Sequence, residues 1–513
     1  MPCNFVVFWQ AEAANWPEKC TRLHALPQFE PFMNRTDALL DLSARAAAER
    51  MASGELRAAD YADALLRQVE RVAPFNGLLH CDAEGLRRAA AALDAAPRPS
   101  PGALPLYGVP LAFKDNIDVV GMPTTAGSPW MADHVPRRAA GVTQRLRDAG
   151  ALVLGKTNLH EWSQGVTGHN HAFGPARNPF DAHRITGGSS GGNAAVLGLR
   201  ATPVAIGTDT GGSVRVPAAL CGLVGFRPSI GRWPADGLVP ISPTFDTAGA
   251  MARSVDDCVL VDSAVTGSPR RLAATALHGV RLGVPSAYFW DAIDPPVAAL
   301  AADCLQRLRD AGAVLVPCDL REAGALFGQG SMSISLFEIL PALADYFARH
   351  GRPFDARQLT DAVVSPDVKP LFARLFGDTA ITPGAYQHAL HELRPRMQRL
   401  YRDCFAQHGL AALVFPTAPL TAARIGEDVE VMLCGERVSA FSAYIRNTGP
   451  AGMAGLPALS LPMGLTREGL PAGLELTGAA GSDSALLSLA LGIEAALPPA
   501  PVPMVLQQMR GAP

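Results

Sequence analysis

Residues 185–217 read ITGGSSGGNAAVLGLRATPVAIGTDTGGSVRVP. Two glycine-rich turns in this stretch each carry serine: Gly187-Gly188-Ser189-Ser190-Gly191-Gly192 and Thr210-Gly211-Gly212-Ser213. Between them, the small-residue run Ala194 to Leu199 predicts a helix and the apolar run Pro203 to Gly207 predicts a strand. Val214 to Leu220 can open a further helix. Tight turns in an α/β sheet often carry serine simply as a cap. Consecutive backbone N–H groups at such a turn can also form a hole for a developing oxyanion, and glycine lets a carbonyl approach closely. Two such turns in one unit offer both a nucleophile and a relay.

The chain has 513 residues, is 48% hydrophobic and carries a net charge of −3. That suffices for a large core, in one big domain or two to three smaller ones. The absence of a lysine or arginine block argues against nucleic acid as the main partner. No continuous apolar run reaches about 18 residues, so no transmembrane helix is expected. The amino terminus is a poor signal peptide. Nine cysteines, scattered and without a CxxC, suggest reduced thiols and a cytoplasmic setting. The closest histidine pair, His169-Asn170-His171, has nothing near it in sequence to complete a metal site. A structural or surface role is expected for it.

Residues 1–32 match no periodic pattern and read as an extension outside the core. A helix is predicted from Asn34 or Thr36 to about Ser53, stopped by Gly54, with further helices at about 58–72 and 82–95. The core begins at Leu106, where Val109-Pro110-Leu111-Ala112-Phe113 reads as a buried strand ending on Lys114. The sequence Arg145 to Gly150 recurs letter for letter at Arg307 to Gly312, and each copy runs into an apolar strand. This alternation predicts a largely parallel sheet with helices on both faces. From about 321 to 408 strands give way to helical periodicity with bulky aromatics, either packing helices or a substrate-covering excursion. The sheet resumes at LAALVFPTAPL and LPALSLPMGL, and a helix over about 483–497 closes the fold.

Of 44 basic residues only four are lysine: Lys19, Lys114, Lys156 and Lys369. Arginine serves elsewhere as the fixed positive charge, so Lys114 stands out. Burial at a strand end would depress its pKa. A neutral lysine is a base, a role closed to arginine; a lysine snorkelling from the strand end is the alternative. Residues 150–157, GALVLGKT, fit GxxxxGK[ST], but the interior is itself a strand with a helix before it. That is the wrong order for a phosphate loop. Residues 187–191 fit GxSxG, which would need an acid and a histidine downstream; Asp319 and His350 are candidates.

Lys114, the GGSSGG turn and the GTDTGGS turn together resemble the amidase signature family. The spacing agrees, with 75 residues from Lys114 to Ser189 and 24 from Ser189 to Ser213. The resemblance covers about residues 37–495. It implies an α/β/α fold over a single domain at 33–513, with a large mixed central sheet and helices on both faces. It also implies a Ser–cis-Ser–Lys triad in which Ser213 is the nucleophile, Ser189 the bridge and Lys114 the base. Thr210, Gly211, Gly212 and Ser213 would form the oxyanion hole, supported by Ser190, Asp209 and Arg215. Within the family, NLHEWSQGVTGHNHAFGPARNP and DTAGAMARSVDD are most similar to mandelamide and indoleacetamide hydrolases.

The implied activity is hydrolysis of small aryl or arylalkyl amides to a carboxylic acid and ammonia or amine through an acyl-enzyme. No metal or cofactor is expected. The glutamine-hydrolysing subunit of a tRNA-dependent amidotransferase and an esterase or carbamate hydrolase are the alternatives. Phe337 and Tyr346, in the 321–408 excursion, are the expected acyl-pocket walls. The expected partner is a small-molecule amide, with no nucleic acid or membrane and a homodimer left open.

Overall fold

A computed structural model describes residues 35–100, 102–267 and 271–510; the expected extension at 1–32 lies outside them. Eleven strands form one sheet. In spatial order they are Leu78–Cys81, Leu152–Thr157, Pro110–Lys114, Val204–Asp209, Thr247–Ala252, Val224–Arg227, Ala458–Leu465, Pro471–Thr477, Ala412–Pro416, Arg281–Pro285 and Val314–Cys318. The expectation of a large mixed sheet in an α/β fold holds. The expectation that it is largely parallel does not: its ten strand pairings are six antiparallel and four parallel.

The reason is local. Both copies of the recurring RLRDAG sequence do end a helix that feeds a strand, Gly141–Asp148 into Leu152–Thr157 and Pro295–Asp310 into Val314–Cys318. Each of those strands joins a parallel pair. The middle of the sheet lacks such crossovers. There Ala458–Leu465 turns straight back into Pro471–Thr477 through a loop closed by Thr466 N donating to Leu470 O at 2.9 Å, and a tight turn makes neighbours antiparallel. The edge strand Leu78–Cys81 is too short to register as a periodic pattern and was not expected.

The expected first helix divides into Arg35–Leu40 and Ala44–Ser53. Ser43 starts the second piece by accepting from Ala46 N at 3.0 Å, as a capping serine does. Gly54, at φ 83°, ends it as predicted. The seven cysteines among the described residues are free thiols.

The 321–408 region is built of helices joined by turns and short loops, led by the 28-residue helix Glu322–Arg349 and closed by Arg394–His408. By length and composition the first of these is apolar enough to cross a membrane. Its side chains divide between two buried clusters. Ala323, Leu326 and Ile334 pack with Met397 and Tyr401, whereas Leu336, Ile339 and Leu343 pack with Phe372 and Trp162.

Strands Pro110–Lys114 and Val204–Asp209 are parallel neighbours. Their carboxyl ends therefore lie at one edge of the sheet, where α/β folds commonly bind ligands. This brings Lys114 beside Thr208 and the turn that follows Asp209. Helix Gly191–Gly198 is buried at every residue, and its small side chains let it lie against these strands.

Candidate active site

Lys114 ends its strand fully buried. Its Nζ lies 2.7 Å from Ser189 Oγ and 2.8 Å from Thr208 Oγ1. Asn116 Nδ2 fixes this hydroxyl set by donating to Thr208 Oγ1 at 3.0 Å and to Ser163 Oγ at 3.2 Å. Burial pushes the Lys114 pKa down to about 7, against a weaker upward pull from Asp209 and Asp246.

Lys156 is buried as deeply but lies in a different setting. Its Nζ is 2.8 Å from Asp115 Oδ1 and donates to Pro123 O at 2.9 Å and Thr124 Oγ1 at 3.0 Å. One buried lysine is therefore ion-paired, while the other sits among hydroxyls. The GALVLGKT look-alike is, as read, a strand, with Lys156 on it.

The peptide bond Gly188–Ser189 is cis. The Ser189 carbonyl accepts from His160 N at 3.0 Å. Ser190 joins the two serine turns: its N donates to Ser213 O at 3.2 Å and its Oγ to Thr208 O at 3.3 Å.

The turn Thr210–Ser213 is pinned from both sides. Thr210 Oγ1 donates to Asp246 Oδ1 at 2.6 Å, and Thr448 Oγ1 donates to Gly211 O at 2.6 Å. Gly212 has φ +139°, and a Cβ there would collide with Thr448 Oγ1, so only glycine fits. Among the described residues, no protein acceptor takes the N–H of Gly211, Gly212 or Ser213. Adjacent unengaged backbone donors are what an oxyanion requires.

Beneath the turn lies a charge cluster with no solvent exposure. Arg215 holds Asp209 with two nitrogens, Nη2 to Oδ1 at 2.9 Å and Nε to Oδ2 at 3.0 Å. Arg227 Nη1 is 3.1 Å from the same Oδ1, and Arg215 Nη1 also contacts Glu475. Burial alone would raise the Asp209 carboxyl, but the two guanidiniums outweigh it and hold it well below the ordinary range. Two guanidiniums face two carboxyls here, and burial pushes the Glu475 carboxyl up to about 7 against the pull of Arg215. Asp209 Oδ2 also accepts from Val214 N at 3.2 Å, so the cluster fixes the backbone just after Ser213.

Thr210, Gly211 and Ser213 line a cavity that opens to solvent. Its other walls are mostly apolar, among them Ile241, Phe245, Phe327, Met332, Phe441 and Ile445. An outer cleft shares Gln164, Phe327, Ser331, Met332, Phe441 and Ile445 with it. This corrects the expected pocket walls, because neither Phe337 nor Tyr346 lines either space. Both lie on the expected helix, but in the wrong place. Phe327, Ser331 and Ser335, four residues apart, share the cavity-facing side of Glu322–Arg349. Phe337 lies about 200° round from Ser335 and stacks on Tyr386, with centroids 4.2 Å apart. Tyr346 lies about 16 Å further along the axis, where its Oη donates to Asp118 Oδ1 at 2.8 Å.

Two other candidates are placed elsewhere. Asp319 is 2.7 Å from Arg321 Nε, and His350 Nε2 is 3.0 Å from Asp118 Oδ2; among the described residues no serine joins either pair. The histidine pair gains a partner that the local sequence did not offer: Asp428 meets both His169 and His171. Thr208, Asn116, Arg227, Asp246, Thr448 and Glu475 all belong to the site and were not expected. Glu475 and Arg227 left a signal, each as the lone charge of an apolar strand, Pro471–Thr477 and Val224–Arg227.

A family model described as Amidase matches residues 60–487. The chain belongs to the Amidase family. The enzyme is 40% identical over 449 residues to an indoleacetamide hydrolase of Agrobacterium vitis, covering 88% of this chain and 96% of that protein. It is 38% identical over 457 residues to a mandelamide hydrolase of Pseudomonas putida, covering 86% and 88%. Its fold matches the X-ray structure of a peptide amidase from Stenotrophomonas maltophilia with a TM-score of 0.78 and 31% identity, over 90% of this chain and 99% of that one. The enzyme is thus a hydrolase acting on amide C–N bonds.

Proposed function

We propose that the enzyme hydrolyses small arylalkyl amides through an acyl-enzyme on Ser213. The observation that carries this reading is the neutral-leaning Lys114 amine 2.7 Å from Ser189 Oγ, beside a turn of unengaged N–H groups and a largely apolar cavity. A serine hydroxyl is a weak nucleophile until a base takes its proton. Lys114 takes the proton of Ser189 as Ser189 takes that of Ser213, and Ser213 Oγ bonds to the amide carbon. The carbonyl π pair moves onto oxygen, where the Gly211, Gly212 and Ser213 N–H groups receive it. The C–N bond then breaks, and the relay returns the proton to the departing nitrogen. Water, deprotonated by the same relay, releases the acid and restores Ser213.

An apolar cavity with few polar groups suits an aromatic acyl group, in keeping with relatives named for indoleacetamide and mandelamide. Ammonia release from indoleacetamide, mandelamide, acetamide and glutamine, with acid release from a matched ester, tests the reading. The arylalkyl amides should show the highest kcat/KM. A preference for glutamine or for the ester would refute it.

A further inference from the structure

Gln164 to Val166 leave the inner cavity and continue outward to His171. The turn at His169–Phe173 is held from inside by Asn170. Its Oδ1 accepts from Ala172 N at 2.9 Å and Phe173 N at 2.8 Å, and its Nδ2 donates to Gly127 O at 2.8 Å and Leu159 O at 3.0 Å. The two flanking imidazoles stack, with centroids 3.9 Å apart and planes 25° from parallel. Asp428 arrives from a loop more than 250 residues further along the chain. Its Oδ2 lies 2.7 Å from His169 Nδ1 and 3.2 Å from His171 Nε2, while Oδ1 accepts from Thr167 Oγ1 at 3.0 Å.

We propose that His169, His171 and Asp428 form a binding site for a divalent transition-metal ion, with Zn²⁺ the best-suited occupant. Two imidazole nitrogens and one carboxylate oxygen are a donor set that Zn²⁺ favours. Metal–ligand bonds of about 2.0–2.2 Å place tetrahedral donors about 3.3 Å apart. The donor atoms here all lie within 4.8 Å of one another; Asp428 Oδ2 now bonds to both imidazoles, so it has to draw back from His169 Nδ1, 2.7 Å away, as an ion enters between them.

The surroundings are those of a built site. The Thr167 hydroxyl orients the carboxylate, an outer-shell contact of the kind that metal sites use. The side chains are 14%, 27% and 4% exposed, in the order His169, His171, Asp428. Asp428 is thus buried while His171 lies open to solvent, the side from which an ion and its water would reach the cluster. The other histidine–carboxylate triplet, Asp118, His134 and His350, differs because Tyr346 Oη occupies its middle, 2.8 Å from Asp118 Oδ1 and 3.0 Å from His134 Nε2.

An ion at this position would act as a clasp. Asp428 and Gln164 both line the outer cleft, so the ion would fasten the Asp428 loop to the wall that leads toward Ser213. It plays no part in bond cleavage, and the inference stands independently of the acyl-enzyme reading.

The test uses the full chain, free of any affinity tag and stripped with chelator. Zn²⁺ is titrated calorimetrically and Co²⁺ by its visible d–d absorption, in wild type, His171→Asn, Asp428→Asn and His350→Asn. Wild type should bind one Zn²⁺ per chain. His171→Asn and Asp428→Asn should bind about a hundredfold more weakly or worse, since losing a ligand should cost at least as much as losing an outer-shell partner. The Co²⁺ bands should vanish with them, and His350→Asn should match wild type. His171 is the most exposed of the three side chains, so its variant keeps the fold, and melting without metal checks this. A wild type that binds no Zn²⁺, or binding indifferent to His171→Asn, overturns the proposal.

Discussion

Lys114 and Lys156 show how one residue type serves two ends in one core. Lys156 faces a carboxylate and Lys114 faces hydroxyls, and burial holds the Lys114 amine down to about 7. The rate of acylation should therefore rise with pH through about 7 and then level off. Arginine holds its proton at any usable pH, so Lys114→Arg should lose as much activity as Lys114→Ala, about three orders of magnitude. Single-turnover kinetics from acid to alkaline pH would check both. The same depression has a stability signature. Between about 7 and the ordinary 10.5 the unfolded chain binds the proton that the folded one lacks, so this group makes stability rise with pH across that window. Lys114→Ala should flatten the slope of Tm against pH there. Among the charges below, Asp209→Asn would leave Arg215 and Arg227 facing Glu475 alone and should cost about 3–5 kcal/mol in chemical denaturation. Lys114 was legible because lysine is rare in this chain and this one ends an apolar strand. Thr208 and Asn116 were not, because a hydroxyl or an amide declares its role only once folding places it against the amine.

At the scale of elements, the turn Thr210–Ser213 and the helix Glu322–Arg349 divide the work. The turn's pattern of glycines was readable, since positive φ and close approach both exclude side chains. Gly212→Ala would force the turn off Thr448 and displace its N–H groups. It should lower kcat by about 10²–10³, with KM for the same amide little changed. The helix was readable as a helix, but its rotational phase was not. Aromatic residues on it pointed to a pocket, yet the side facing the cavity and cleft is the one that carries Phe327 and Met332, two serines and two glycines. Phe337 packs on Tyr386 instead. Phe327→Ala should therefore alter the ranking of arylalkyl amides against acetamide, while Phe337→Ala should leave it intact. Gly449 packs against the Phe327 ring so closely that a Cβ would collide with it. Gly449→Ala should push that ring into the cavity and raise KM for bulky amides more than for small ones. Steady-state kinetics on the same panel would read all three.

For the whole molecule, the mixed sheet determines where the chemistry happens. Its parallel flank aligns the ends of Pro110–Lys114 and Val204–Asp209, and its antiparallel middle brings in Arg227 and Glu475 beneath the turn. The recurring RLRDAG units announced the flanks. The middle was hidden because its strands are buried on both faces and carry no alternation that would betray direction. The proposed acyl-enzyme lies on Ser213, and the identity of the acylated residue is its most direct test. The enzyme would be mixed with an arylalkyl amide or its slower anilide, quenched within one turnover, digested and mapped by mass spectrometry. The acyl mass should sit on Ser213 in wild type and be absent from Ser213→Ala. An acyl group found on Ser189 or Ser190, or turnover by Ser213→Ala at the wild-type rate, would contradict the account.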